Sequence, residues 1–205
     1  MKDQPPLVLV MDLGGVTCRW LPDRRLIALS ELCGLPAETI DQLVFESGFD
    51  DAGERGRLSP EEFVAELLGL LGLTRTAELA DAVRAAWSTA FEPDQRVLHL
   101  IRTASCRTAL FTNNGPLLEA GLTDDLTDVG EVFDQLLFSW RLGTTKPDPL
   151  AFDRAIERLE VAPEALLFVD DSQANVDAAR AAGWPAHHYR NSLDLHAALA
   201  DAHLL

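Results

Sequence analysis

The 205-residue sequence is poor in the features that mark secreted and membrane proteins. Its three cysteines, Cys18, Cys33 and Cys106, are widely spaced and odd in number, which argues against a disulfide framework and a paired-cysteine metal site. The first residues are too polar, and their apolar run too short, for a signal peptide. No run approaches the ~20 apolar residues that a membrane span requires. These absences predict a soluble, cytoplasmic protein with reduced thiols.

Basic residues are also scarce. The chain has 17 Lys+Arg against 33 Asp+Glu, and its formal net charge is -16. A surface this negative should repel phosphate backbones and anionic lipid, so neither nucleic acid nor a membrane is expected as a partner. A small anionic substrate stays compatible with this charge if a local site supplies positive groups. Since 47% of the residues are hydrophobic, the chain can bury a real core, either as a monomer or as a homodimer.

Five short apolar runs lack polar–apolar alternation, which predicts strands of a parallel sheet covered on both faces. Helical patterns separate most of these runs, and alternation of strands with helices is typical of an α/β fold. The sequence therefore predicts a doubly wound, Rossmann-like, mostly parallel sheet. The runs are LVLVM at 7–11, TALF at 108–111, QLLFS at 135–139, ALLFV at 165–169 and AHHY at 186–189.

One long segment interrupts this alternation. Residues 18–92 contain helical patterns and no convincing strand. A capping box that begins at Ser59 marks the start of one helix. The stretch FDDAGERGRLS at 49–59 is typical of a loop. An insert directly after the first strand lies above the carboxyl ends of the strands, where such sheets bind ligands. We therefore expect a catalytic core of residues 1–17 and 93–205, and a helical cap of residues 18–92.

Polar residues with chemical potential follow the predicted strands. In a parallel sheet these strand ends meet at one edge, so the side chains should form a single site. Three clustered carboxylates repel one another and need a cation, and an all-oxygen ligand set suits Mg²⁺. The residues are Asp12 after the first strand, Thr112 and Asn113 after the second, Lys146 before a later helix, and Asp170 and Asp171 after the strand ALLFV.

This residue set favours chemistry at phosphorus. Thr112 and the backbone N–H groups that follow it can hold phosphate oxygens at the start of a helix. Lys146 supplies a point positive charge. Asp12 can then bind the metal through one oxygen and attack phosphorus through the other, which forms an acyl phosphate. Gly14 and Gly15 keep side chains away from the metal and let the backbone turn tightly.

The segments VLVMDLGGVT, LFTNN, KPDP and LLFVDDSQANVDAARAAGW resemble the four motifs of the haloacid dehalogenase superfamily, in the family's order. The insert is similar to the helical cap of one branch (subfamily I), near glucose-1-phosphate phosphatase and the N-terminal phosphatase domain of soluble epoxide hydrolase. The resemblance implies a Mg²⁺-dependent phosphomonoester hydrolase acting on a small phosphorylated metabolite. It implies Asp12 as nucleophile, Thr112, Asn113 and Lys146 at the phosphate, and Asp12, the Gly14 carbonyl, Asp170 and Asp171 at the metal.

Gly14 departs from the family pattern, because family phosphatases usually carry there a second aspartate that protonates the leaving oxygen and activates water. General acid–base help is worth about 10²–10⁴-fold in rate, so turnover should be slow unless another group substitutes. Sequence neighbours Thr17 and Arg19, and Glu54 of the insert, are the candidates. Two alternatives follow from the same glycine: a catalytically weakened binding or regulatory protein, and a metal-free haloacid dehalogenase. The paired Asp170 and Asp171 favour phosphorus chemistry over attack on carbon.

Overall fold

The computed structural model describes residues 8–205; the predicted strand residue Leu7 and the core residues before it lie outside this range. Within it, five strands form a parallel sheet in the order β5-β4-β1-β6-β7, and two short strands, β2 and β3, form an antiparallel ribbon. The predicted α/β fold with a mostly parallel sheet is confirmed. The strands are β1 (Val8–Met11), β2 (Cys18–Trp20), β3 (Phe91–Pro93), β4 (Arg107–Thr112), β5 (Gln135–Phe138), β6 (Leu166–Asp170) and β7 (Ala186–His188).

Helices cover the sheet and fill the segment between β2 and β3. The π-helix Asp41–Glu46 follows α2 directly, and a short 3₁₀ turn, Pro163–Ala165, precedes β6. The α-helices are α1 (Pro22–Cys33), α2 (Ala37–Ile40), α3 (Phe49–Glu54), α4 (Pro60–Leu70), α5 (Ala77–Ser88), α6 (Gln95–Thr103), α7 (Pro116–Asp124), α8 (Thr127–Gly130), α9 (Ser139–Leu142), α10 (Pro149–Leu159), α11 (Gln173–Ala181) and α12 (Ser192–Asp201).

The central strand explains why the apolar runs do not alternate. Leu9 and Met11 of β1 pack into one buried hydrophobic cluster, whereas Val8 and Val10 pack into a second cluster. Successive side chains of a strand point to opposite faces of the sheet, so a sheet covered on both faces needs an apolar residue at every position.

Strand register brings the predicted site residues to one level. Met11 pairs with Leu110 of β4 on one side and with Val169 of β6 on the other. The Asp12 amide also donates a hydrogen bond to the carbonyl of Val169, at 2.9 Å. Asp12 therefore emerges at the carboxyl edge beside the ends of both neighbouring strands.

Two sequence predictions about the insert are wrong. Residues 18–92 were expected to lack strands, yet β2 pairs with β3 at the two ends of the helical segment. The local pattern carries little signal for strands of three residues, because their partner lies about 70 residues away in the chain. Residues Phe49–Glu54, expected to be a loop, form α3, whose Gly53 lies against the ring of Phe63.

Other details of the insert agree with the sequence patterns. Helix α4 begins with the predicted capping box, in which Ser59 and Glu62 exchange side-chain-to-backbone hydrogen bonds. No helix within residues 8–205 is both long enough and apolar enough to cross a bilayer. The division into a core of 1–17 and 93–205 and a cap of 18–92 stays a prediction, which we retain as a proposal.

Candidate active site

A buried lysine links the ends of three neighbouring strands. Lys146 Nζ donates to Asp12 Oδ1 at 2.7 Å, to Asp170 Oδ2 at 2.8 Å and to the backbone carbonyl of Phe111 at 2.7 Å. An ammonium group has three N–H donors, so all three are used in this arrangement. Asp12, Phe111 and Asp170 lie 134, 35 and 24 positions from Lys146 in the sequence, so these contacts are made by tertiary folding of Lys146 onto β1, β4 and β6.

Asp170 is held by the start of the helix that follows its strand. The Ser172 amide donates to Asp170 Oδ1 at 2.8 Å, and Asn175 Nδ2 lies 3.0 Å and 3.1 Å from the two carboxylate oxygens. Since Asp170 is fully buried, these donors and Lys146 compensate its negative charge. Asn175 therefore orients Asp170.

Three carboxylates converge at the same edge. Ligand oxygens of Asp12, Asp170 and Asp171 lie within 4.8 Å of one another. Gly15, at φ +83°, leaves the space that the Asp171 carboxylate occupies, because a β-carbon at residue 15 would overlap Asp171 Oδ2. Gly14 borders the pocket beside Asp12. Hard oxygen donors packed this closely fit a cation such as Mg²⁺.

Burial and the opposite charges of the two groups together set the pKa values of the pair Asp12 and Lys146. Desolvation raises the pKa of Asp12 to about 7; Lys146 opposes this effect and Asp170 adds to it. For Lys146, desolvation acts to lower the pKa, but the charges and hydrogen bonds of Asp12 and Asp170 outweigh it and raise the pKa above its ordinary value. Lys146 therefore stays protonated and supplies the positive charge that the net-negative chain needs at this point.

The segment after β4 forms the opposite wall. Thr112 Oγ1 accepts a hydrogen bond from Asn114 Nδ2 at 2.7 Å, and the Asn114 amide donates to Ser139 Oγ at 3.0 Å. The backbone then enters α7 at Pro116, with Gly115 as its N-terminal cap residue. Thr112 thus lies near a helix N-terminus, where backbone N–H groups favour an anion.

The side chain of Asn113 holds the backbone of Lys146. Its Nδ2 donates to the Lys146 carbonyl at 2.7 Å, and its Oδ1 accepts from the Lys146 amide at 2.8 Å. The amide group is therefore engaged in holding the Lys146 backbone. Asn113 also borders the pocket, and its predicted place at the phosphate stays a proposal.

A pocket of about 230 Å³ lies between these core residues and the insert. On the insert side, the sequence analysis singled out Glu54 and missed Arg25, Phe45, Asp50 and Phe91. Asp50 and Glu54 lie one turn apart on α3 and therefore share one face of this helix. The sequence analysis did not recognise this, because it assigned the segment to a loop. The insert and ribbon residues that line the pocket are Trp20, Arg25, Phe45, Asp50, Glu54 and Phe91.

Arg25 is buried in this pocket within an aromatic cage. Its guanidinium carbon lies 4.3 Å from the centroid of the Trp87 ring and 5.0 Å from that of Trp20, and Nε donates to the Trp87 carbonyl at 3.0 Å. Burial lowers the pKa of Arg25 to about 10, against the effects of Asp50 and Glu54, so the group remains charged at neutral pH. Its Nη2 finds no hydrogen-bond acceptor among residues 8–205. A buried donor of this kind favours a ligand that brings an acceptor.

The two acidic residues on α3 differ in proton affinity. Burial raises the pKa of Asp50 to about 6, with Arg25 lowering it and Asp51 adding to the rise. Burial raises the pKa of Glu54 to about 8, with Asp50 and Asp51 adding to the rise and Arg25 and Arg55 opposing it. At neutral pH the pocket therefore contains one mostly ionised and one mostly protonated carboxyl on the insert side.

Comparison with known proteins agrees with the fold. The family model described as haloacid dehalogenase-like hydrolase matches residues 26–183. A D-ribitol-5-phosphate phosphatase from Bacteroides thetaiotaomicron is 29% identical to this chain, and the match covers 91% of this chain and 93% of that protein. A predicted HAD-like family hydrolase from Porphyromonas gingivalis has a similar structure, with a TM-score of 0.75, 25% identity, and coverage of 96% of this chain and 98% of that one.

A HAD family enzyme from Bacteroides thetaiotaomicron, solved with magnesium and inorganic phosphate, shares the fold with a TM-score of 0.74 and 20% identity, over 89% of this chain and 93% of that one. The family match extends over more than half of the chain and includes Thr112, Lys146 and Asp170. The predicted family and hydrolase class are therefore confirmed. The chain belongs to the haloacid dehalogenase-like hydrolases.

Proposed function

We propose that this hydrolase cleaves small phosphomonoesters with Mg²⁺ through an aspartyl-phosphate on Asp12. The observation that carries the proposal is the meeting of Asp12, Asp170 and Asp171 with the buried ammonium of Lys146 at the edge of the sheet. Curated relatives that cover most of the chain are phosphatases, which supports the reaction class.

The chain's own residues divide the chemistry between them. Asp12, the Gly14 carbonyl, Asp170 and Asp171 would hold Mg²⁺, which supplies charge neutralisation for the transferring phosphoryl group. Thr112 and the backbone before α7 would hold phosphate oxygens, and Lys146 would neutralise a further oxygen. An Asp12 oxygen attacks phosphorus as the ester oxygen departs, and water then releases phosphate and restores the carboxylate.

The insert side of the pocket suits a leaving group that is an alcohol with further hydroxyl groups. Arg25 offers a buried N–H donor without a protein acceptor, and Asp50 supplies an acceptor in the same pocket. Aromatic rings from Trp20, Phe45 and Phe91 complete the wall. A small sugar phosphate or sugar-alcohol phosphate suits this mixture, and one relative is named for D-ribitol 5-phosphate.

Two alternatives make different demands on the site. A haloacid dehalogenase needs no metal, so it gives no reason for the packing of Asp171 against Gly15 beside Asp12 and Asp170. A binding protein is favoured by Gly14 alone, since that residue supplies no acid. Both alternatives predict that Mg²⁺ and Asp12 together do not produce phosphate.

The proposal is tested by measuring phosphate release from a panel of sugar and sugar-alcohol phosphates with Mg²⁺ or with a chelator. Asp12→Asn should remove activity, since an amide is a poor nucleophile, and the chelator should remove it in the wild type. Asp153→Asn, which changes an exposed aspartate on α10, is the matched control and should retain activity. A wild type that binds phosphate without turnover, or an equally active Asp12→Asn, would contradict the proposal.

A further inference from the structure

The proposed reaction needs a proton donor that the core does not supply. The alcohol of a sugar phosphate leaves slowly unless its oxygen is protonated, and the acyl phosphate is hydrolysed faster when a base accepts a proton from water. Gly14, where the family usually has an aspartate, carries no side chain. The proton donor must therefore come from another residue that faces the same pocket.

The structure removes two of the three sequence candidates. Thr17 is fully buried, and its hydroxyl donates to the Asp12 carbonyl at 2.7 Å, away from the pocket-lining set. Arg19 is exposed and forms an ion pair with Glu92. Among the described residues, the pocket-lining carboxyls other than Asp12 are Asp50 and Glu54, and no histidine lines it.

Backbone packing fixes Glu54 beside the phosphate-binding segment. A β-carbon placed on Gly115 would lie 3.7 Å from the Gly53 carbonyl carbon and 3.8 Å from the Glu54 amide nitrogen. Gly115 is the cap residue of α7, directly after Thr112, Asn113 and Asn114. The backbone at Glu54 therefore rests on the segment that would hold the phosphate.

A second contact secures the end of the same helix. Gly56 lies so close to the carbonyl of Trp140 that a β-carbon at residue 56 would overlap it. Helix α3 thus lies against the core at Gly115, and the turn that follows it lies against the core at Trp140. Asp50 lies one turn earlier on α3, farther along the helix from both contacts.

From this placement we infer that Glu54, supplied by the insert, is the general acid and base of the site, in place of the side chain that Gly14 lacks. The inference rests on the proposed function. Burial raises the pKa of Glu54 to about 8, with Asp50 and Asp51 adding to the rise and Arg25 and Arg55 opposing it. Glu54 is therefore mostly protonated at neutral pH, which is consistent with this role. Asp50, with a pKa of about 6, is mostly ionised there.

The two half-reactions balance with this assignment. As Asp12 attacks phosphorus, the bond from phosphorus to the ester oxygen breaks and Glu54 gives its proton to that oxygen, so the alcohol leaves neutral. Water then enters, Glu54 takes one of its protons, and the water oxygen bonds to phosphorus as the bond to Asp12 breaks. Inorganic phosphate leaves, the Asp12 carboxylate is restored, and Glu54 is protonated again.

The test compares Glu54→Gln with wild type on two classes of ester. For a sugar phosphate, whose alcohol needs a proton, kcat/KM should fall by about 10²–10⁴-fold. For p-nitrophenyl phosphate, whose leaving group needs none, the first step should survive and the second should be slow. Rapid mixing should then show a burst approaching one nitrophenolate per active site, followed by slow turnover. In wild type, kcat/KM on the sugar phosphate should decline above about pH 8, and this decline should be missing in Glu54→Gln.

Matched variants separate this role from a structural one. Glu46→Gln, an exposed carboxyl of the insert outside the pocket, should behave as wild type. Gly14→Asp added to Glu54→Gln should recover at least part of the sugar-phosphate activity, since a β-carbon at Gly14 meets only ordinary contacts of 3.6 Å to Phe91 and 3.9 Å to Trp20.

Two results would overturn the inference: a Glu54→Gln enzyme within a few-fold of wild type on the sugar phosphate, or equal losses on both esters with no burst. Either result alongside an inactive Asp12→Asn leaves the proposed function standing and removes only Glu54. An active Asp12→Asn removes the proposed function, and this inference with it.

Discussion

At the scale of single residues, the site depends on balancing negative charge inside a strongly acidic protein. Lys146 contacts two of the three clustered carboxylates, and Asn113 holds its backbone on both sides. Asp171 is the third carboxylate; it is more exposed than Asp170, and burial together with Asp170 raises its pKa. The negative charge of Asp171 therefore depends most on an added cation for its compensation. The position of its carboxylate depends on Gly15.

Gly15→Ala should weaken Mg²⁺ binding, because its β-carbon would displace the Asp171 carboxylate. We expect a loss of about tenfold or more in Mg²⁺ affinity, equivalent to ~1.4 kcal/mol. It is measured as a smaller rise in Tm on adding Mg²⁺. Gly34→Ala is the control: it has a similar backbone, at φ +75°, but open space around it. Both substitutions should lower the free energy of unfolding by about 1–2 kcal/mol, because each puts a β-carbon on left-handed backbone. An equal rise in Tm with Mg²⁺ in the two variants would therefore refute the role given to Gly15.

At the scale of elements, α3 connects the insert to the chemistry. It is six residues long and follows the π-helix Asp41–Glu46, which places Phe45 in the pocket. An isolated helix of this length is not stable in water, so its conformation depends on packing against Phe63, Gly115 and Trp140. This explains why FDDAGERGRLS has the local pattern of a loop although its first six residues form a helix in the folded chain.

Gly56→Ala should move α3 away from the core, since its β-carbon would overlap the Trp140 carbonyl. A shift of about 1 Å in a catalytic group can cost about 10²-fold in rate, so we expect a loss of this order in kcat/KM. Gly48→Ala, at the other end of α3, is the control, because it shares the positive φ and has open space. It should lose stability only. Equal kcat/KM in the two variants would show that contact with Trp140 does not position α3.

Elements with strong local signals are the ones that the sequence predicted correctly. Helix α4 has its capping box at Ser59, and α10 has Asp148 as its N-cap with Pro149 in the first turn. Strand β1 at the centre of the sheet is a continuous apolar run, and β6 is one up to Asp170. The ribbon of β2 and β3 carries no such signal, since each strand has three residues and is formed by pairing distant segments.

At the scale of the whole molecule, the acidic pocket makes stability depend on pH. Burial raises the pKa of Asp12 to about 7, of Asp50 to about 6 and of Glu54 to about 8, all above their ordinary values. The folded state therefore binds more protons than the unfolded state between the ordinary and the raised values. Stability from these groups is present at low pH and is lost as pH rises through that window.

In the presence of a chelator, the free energy of unfolding should therefore decrease as the pH rises from 5 to 8. The carboxyls with lowered pKa, Glu62 and Glu78, act below about pH 4.5 and do not reverse this trend. Asp50→Asn should reduce the decrease, because an amide does not titrate. The measurement is urea unfolding at several pH values and constant ionic strength. A stability that rises over this range, or an unchanged slope in Asp50→Asn, would contradict the expectation.

The sequence by itself determined the α/β order, the two-faced apolar strands, and the residues Asp12, Thr112, Asp170 and Asp171 at the strand ends with Lys146 before a helix. These features are local, since they follow from side-chain periodicity and from which residue ends each strand. The tertiary structure alone decided that Asn113 holds Lys146, that Arg25 lies caged in the pocket and that α3 brings Glu54 to the site. Those contacts join segments far apart in the chain, and their energies come from burial and close packing, which no local pattern encodes.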